Sequence, residues 1–407
     1  MLPLPAPVTA RVRSSVAEAF WRLEAWARER EWRGTDPYDA LNARRLFGLR
    51  RTTTGRRIAT QLVKRSPFDL RPLLGIRPFQ SATALAMVAS AYARLPGPGG
   101  SNRVYLEEVL SLLREHRCAA YQEACWAYEF DVQTRVFFYP RGMPNTIATS
   151  FAGNALLDAY EFCGLQHCRE QAESAAEFFL RRVPQTAASR GAFFGYLPDD
   201  TTPIHNSNML VCGFLARLGA LISSPTLLSR AAEAVRFTLS NQRQDGSWPY
   251  GELPQLSWVD GFHTGYVLEA LMICEQAQIG AGTELSREIQ AAIDLGLHFY
   301  ATRLFERDGT PKYYSCSLYP IDTQAAAQGV QTFAIASMDR PQNRQQMERI
   351  LDFTLANLRR DDGSFLFQRH RWGSNGQPHM RWVIAPMLLA LANVLRTCES
   401  HGPREEK

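Results

Sequence analysis

The feature that most constrains this chain is a spacing. Five segments share one plan, in which a polar loop rich in Gly, Pro and aromatic residues runs into a strongly apolar helix of small residues. They begin at Thr146, His205, His263, Asp322 and Arg381, so successive starts lie 59, 58, 59 and 59 residues apart. One more step back lands in Ser81-Ala-Thr-Ala-Leu-Ala-Met-Val-Ala, again a small-residue apolar helix, which makes six units. Between these segments lie more polar amphipathic stretches, 168–183, 227–241, 285–304 and 343–358. Such pairs bury their apolar surface if the apolar helices form an inner ring and the amphipathic ones an outer ring. The period exceeds the ~34–47 residues of helical solenoid repeats, and the excess lies in the loops. Six units of 59 account for 354 of the 407 residues. The spacing therefore predicts an all-α fold, an (α/α)6 toroid over residues 76–398. A helical extension over 1–75 packs on it, and 399–407 form a disordered tail. Within the extension, residues 15–31 read as a helix capped by Ser15. An open solenoid used as a binding surface is the other architecture the period allows.

Composition narrows the function classes. With 45% hydrophobic and 21% charged residues the chain is an ordinary globular protein. The net charge of +5 is uneven: the first 60 residues carry 12 Arg against 6 acids, which leaves −1 for the remainder. No basic stripe interleaved with aromatics occurs, so nucleic acid is not an expected partner. The Arg-rich extension is expected to meet a peripheral membrane face or a complex, apart from whatever the ring binds. The eight cysteines form no C-x-x-C and sit mostly in apolar helical runs, as reduced core residues do. Arg11, Arg13, Glu18 and Arg22 interrupt any signal-like apolar stretch, and a cytoplasmic location is expected.

Parallel inner helices would open all their N-termini at one end, where unpaired N–H groups and helix dipoles make a positive rim. The first residue of each is expected to face a shared cavity. Thr146 and Asp322 suit N-caps, but His205, His263 and Arg381 do not. His205 and His263 then read as an acid/base pair, with Asp322 as orienter or second carboxylate. Histidines that only tie helices together are one alternative. A metal held by His205, His263, Asp322 and Cys316 is another, although no local ligand signature is present and no cofactor is expected. The loops supply groups suited to sugars, with aromatic faces for pyranose rings and polar groups for hydroxyls and carboxylates. These are Asp131, Arg135, Arg141, Tyr250, Glu252, Trp258, Asp260, Tyr314 and Tyr319, joined by Arg381. Trp248 and Phe365 each follow Asp-Gly-Ser and read as turn aromatics that plug between hairpins.

Gln242-x-x-x-Gly246-x-Trp248 resembles the repeat motif of squalene and terpenoid cyclases and, more loosely, of protein prenyltransferase β subunits, which are α/α toroids. The cyclase acid motif is half present as Asp199-Asp200-Thr201, with Leu197 where its first Asp should stand. The prenyltransferase zinc set is missing, since Phe262 stands two residues after Asp260. Over residues 33–395 the chain also resembles a bacterial family that accompanies polysaccharide and capsule biosynthesis. That likeness is carried by Asp36-Pro-Tyr-Asp39, Ser66-Pro-Phe-Asp-Leu-Arg71, Phe130-Asp-Val-Gln133, Gly142-Met-Pro-Asn, His205-Asn206 and Phe262-His-Thr-Gly265. It implies a sugar context without a reaction; similar rings serve as sugar epimerases, uronyl hydrolases and glucuronyl C5-epimerases. The leading expectation is a carbohydrate-active enzyme of polysaccharide biosynthesis or modification. It would act on a glycan, uronate-containing ones included, by epimerase, hydrolase or lyase chemistry. A terpenoid cyclase-like or prenyl-chain-binding enzyme with Asp199 or Asp200 as the acid is the second expectation. A non-catalytic binding protein of a polysaccharide-assembly complex is the third.

Overall fold

A computed structural model describes residues 10–66, 68–95, 101–134 and 137–399. The first helix, α1 (Ala10–Arg28), follows apolar positions Val12, Val16, Ala19, Phe20, Leu23 and Ala27 at helical spacing. Its apolar stripe begins before residue 15, so Ser15 lies inside the helix rather than capping it. Two 3-10 turns, Asp39–Asn42 and Arg44–Arg51, lead to α2 (Thr53–Arg65), which Thr52 caps through its side chain, and then to the short α3 (Arg71–Leu74).

From α4 onward inner and outer helices alternate. The inner ones are α4 (Ala82–Arg94), α6 (Thr146–Cys163), α8 (His205–Leu221), α10 (Gly261–Gln276), α12 (Thr323–Asp339) and α14 (Ala385–Glu399). Interleaved with them run α5 (Ser101–Glu115), α7 (Gln166–Arg182), α9 (Pro225–Ser240), α11 (Glu284–Arg303) and α13 (Arg344–Asn357). Each inner helix packs on the next, and α14 returns to α4 and closes the ring. Helices α5, α7, α9, α11 and α13 each cover the inner helix before them, while α1 covers α14. The fold is an (α/α)6 toroid. Its few strands are short, and the largest sheet joins Ile321–Asp322 to Gln368–His370 and Gly373–Asn375, with Asp322 opposite Gln368.

The inner helices carry small residues because they are enclosed on every side. In α12 fourteen of 17 residues are buried, whereas α13 buries only a stripe of six. The segment Met380–Thr397 is long and apolar enough to cross a membrane, but 83% of it is buried as the last inner helix with its preceding π-helical turn. Loop aromatics lock neighbouring units. Trp248 is 2% exposed, donates from Nε1 to Thr238 O at 2.9 Å, and lies on Gly296 of α11, where a Cβ would come within 2.9 Å of its ring. Gly246 just before it sits at φ +91°, a conformation that L side chains disfavour. Phe365 is fully buried in the equivalent turn.

Candidate active site

A cavity of about 310 Å³ opens at the N-terminal ends of the inner helices. Its register along those helices is regular. Thr83, Ile147, Asn206, Phe262 and Gln324 line it, each the second residue of its helix. Met87, Phe151 and Tyr266 line it one turn deeper, four residues after their counterparts on α4, α6 and α10. The expected register, with the first helical residue facing inward, is thus off by one position, which is a rotation of about 100°.

That rotation explains where the candidates lie. His205 is 1% exposed and does not line the cavity. Its ring turns outward onto Phe237 of α9 at 5.2 Å, with Nε2 2.6 Å from Glu252 Oε1 and Nδ1 3.4 Å from Thr238 Oγ1. The same contact to His205 holds the Glu252 carboxyl below the usual carboxylate range. Asp322, 1% exposed, is the N-cap of α12 and accepts from Gln324 N, Ala325 N and Gln368 Nε2. Burial pushes its carboxyl up to about 6. Thr146 is buried and donates to Tyr196 O. His205, His263 and Asp322 are therefore not gathered into one constellation, and no cluster of three or more His, Cys, Asp or Glu suited to a metal occurs among the described residues.

His263 does line the cavity. Asp260, the N-cap of α10, accepts from His263 N at 3.0 Å through Oδ1 and from Trp258 Nε1 at 3.0 Å through Oδ2. Oδ2 also lies 2.7 Å from His263 Nδ1. Asp260 accepts at this contact, so Nδ1 is the donor, and Nε2 is the ring nitrogen left to act on a ligand. The loop is braced from the next unit, where Asp260 bridges to Tyr314 and Gly261 N donates to Tyr313 O. Tyr250 stacks on Trp258 at 4.6 Å and 11°, and its ring centre lies 4.5 Å from that of His263. Burial raises the Tyr250 hydroxyl well above the usual phenol range, so it stays protonated.

Of the other loop candidates, Tyr250, Trp258, Asp260, Tyr314 and Arg381 line the cavity. Arg381 is already engaged: its Nε pairs with buried Asp36 at 2.7 Å, and its guanidinium lies over Tyr128 at 4.8 Å. Asp131 accepts from Arg141 N and pairs with Arg50, away from the cavity lining. Arg141 is exposed, and Tyr319 is exposed and outside the lining. Arg135 lies outside the described residues. Asp200 closes a turn, accepting from Tyr196 N and Thr202 N, and neither it nor Asp199 lines the cavity.

Several lining residues carried no periodic signal. Tyr38, Gln61, Lys64 and Arg65 come from the N-terminal segment, which also walls the cavity. Lys64 Nζ donates to Tyr38 OH at 2.9 Å and sits 4.3 Å over its ring. Buried atoms of the lining residues Thr83, Tyr139, Asn206, Gln324 and Trp382 have no hydrogen-bond partner among the described residues. Half of the 26 described lining residues are aromatic, and Asp260 is the one carboxylate among them.

No family model matches the chain, and no curated protein matches it in sequence. Solved structures do match in fold. The cellobiose 2-epimerase of Bacillus thermoamylovorans superposes with TM-score 0.59 at 11% identity, over 78% of this chain and 90% of its own. The GH76 α-mannanase of Bacteroides thetaiotaomicron gives 0.58 at 11% over 78% and 86%. A possible member of the GH105 family from Salmonella enterica gives 0.55 at 12% over 79% and 86%. All three are α/α-toroid folds.

Proposed function

We propose that this chain is a carbohydrate-active enzyme that moves a proton on a glycan bound in the ring's cavity, in polysaccharide biosynthesis or modification. The observation that carries the reading is His263, fixed by Asp260 through Nδ1 inside an aromatic cavity, with Nε2 available as a base. Stacked aromatics suit the apolar faces of pyranose rings, and the unpartnered buried polar atoms suit hydroxyls. The names of the fold neighbours, an epimerase and glycan hydrolases among them, are in keeping with such a substrate.

The single lining carboxylate discriminates between reaction types. Glycoside hydrolysis needs two carboxyl groups flanking the scissile bond, and Asp260 is alone and committed to His263. Epimerisation or elimination needs a base and a group that steadies the developing oxyanion. His263 Nε2 takes the proton from a carbon next to a carboxylate or carbonyl, the electron pair moves onto that group's oxygen, and Asp260 stabilises the imidazolium that forms. Lys64 and the six helix N-termini supply positive potential for the oxyanion or a uronate carboxylate. The cyclase reading retains the aromatic lining but lacks its acid, because Asp199 and Asp200 do not line the cavity.

The test is incubation with a panel of neutral and uronate oligosaccharides in deuterated water, followed by NMR. Deuterium at one ring carbon, or an unsaturated uronate end, is the expected product, and His263→Ala abolishes it. Hydrolysis without exchange, or exchange that survives His263→Ala, overturns the reading.

A further inference from the structure

Helix α2 has two apolar faces, and only one is used. Gly55, Ala59, Thr60 and Val63 are buried against the body. About 100° round the helix from that stripe Ile58 is 55% and Leu62 51% exposed, and beyond the helix end Phe68 is 78% and Leu73 66% exposed. Ile58 and Leu62 line a shallow groove with Arg57, Gln61, Arg65 and Ser66. The Ser66 hydroxyl donates to Phe68 O at 2.7 Å, which sets Phe68 beside that groove.

The charge around this apolar strip is extreme. Residues 44–77 hold ten Arg and Lys against one acid, Asp69, a net +9 in a chain whose total is +5. Arg50 and Arg71 are balanced by Asp131, Asp39 and Asp69, while Arg45, Arg51, Arg57, Arg65 and Arg77 are exposed. A strongly basic rim around outward Ile, Leu and Phe side chains matches a surface with anionic headgroups above a hydrocarbon layer. A second copy of the chain would bring like charges together, and a purely ionic polyanion would leave the four apolar side chains in water.

We infer that the exposed apolar strip of α2, with Phe68 and with Leu73 of α3, docks on an anionic lipid bilayer. The inference stands whatever reaction the cavity performs. It has one geometric consequence, because α2 also lines the cavity with Gln61, Lys64 and Arg65, so the docked surface lies against the cavity's own wall.

The experiment is co-sedimentation of the full chain with vesicles of phosphatidylcholine, alone or with about a third phosphatidylglycerol. Binding to the anionic vesicles only, weakened by raised salt, is expected. The exposed double variant Leu62→Ser/Phe68→Ser should bind at least about tenfold more weakly, from the lost apolar insertion. Arg57→Ala should weaken binding about fivefold. Thermal melts confirm that these surface variants fold. Absence of binding to anionic vesicles overturns the proposal. So does binding unchanged by the double variant, which would mark an ionic surface for an acidic protein or other polyanion.

Discussion

Asp322→Asn isolates the cost of a buried charge. In the folded chain burial raises the Asp322 carboxyl to about 6, against 3.8 for an exposed aspartate, although Gln368 and two backbone N–H groups donate to it. A group whose folded value is raised holds its proton longer in the native than in the unfolded chain. Stability is therefore unaffected below the unfolded value, falls as pH rises through the window from about 4 to 6, and stays reduced above it. A rise of that size costs the ionised form about 3 kcal/mol. Asparagine keeps the capping oxygen and removes the charge, and the Gln368 amide can turn to face the new NH2 group. With about 2 cal/mol/K per residue of unfolding entropy, that difference moves the midpoint of a chain this long by about 4 °C. Thermal melts of both proteins from pH 4 to 8 provide the assay. The variant should match the wild type near pH 4 and melt higher above pH 6.5. A pH-independent difference, or a variant that loses stability as pH rises, refutes the reasoning.

Trp248→Ala should cost about 3–5 kcal/mol, read by urea unfolding, because it empties a buried aromatic site and removes one of the two N–H donors to Thr238 O. His205→Ala should lower stability by roughly 1–3 kcal/mol and return the Glu252 carboxyl toward its ordinary value, while turnover of a soluble glycan stays within a few fold of wild type. Lys64→Met should raise KM for uronate oligosaccharides by roughly tenfold and leave neutral ones nearly unchanged, measured by initial rates.

The ring was legible because it repeats. A period near 59 is a property of the chain that survives any error at single positions, and inner helices such as α12 declare full burial through small residues. The site was less legible for two physical reasons. One residue along a helix rotates a side chain by about 100°, so reading the first instead of the second helical position exchanged Asn206 for His205, and reading the N-cap of α12 exchanged Gln324 for Asp322. His263 escaped that error because it is the third residue of α10, whose start at Gly261 lies two residues before the repeat's register. The second reason is distance in sequence. Tyr38 and Lys64 reach the cavity from a segment outside the repeat, and only the fold brings Asp36 to Arg381, 345 residues away. Asp322 and Asp200 were chemically plausible acids whose carboxylates are spent on capping and turn closure.

The most direct test of the central claim compares two histidines on one substrate. Whichever oligosaccharide exchanges its ring proton is assayed with His263→Ala and His205→Ala at matched folded fraction. His263→Ala should lose about 10²–10⁴ in kcat, the range for removing a general base, and His205→Ala should keep a near wild-type rate. Equal losses in both, or a larger loss for His205→Ala, would contradict the claim.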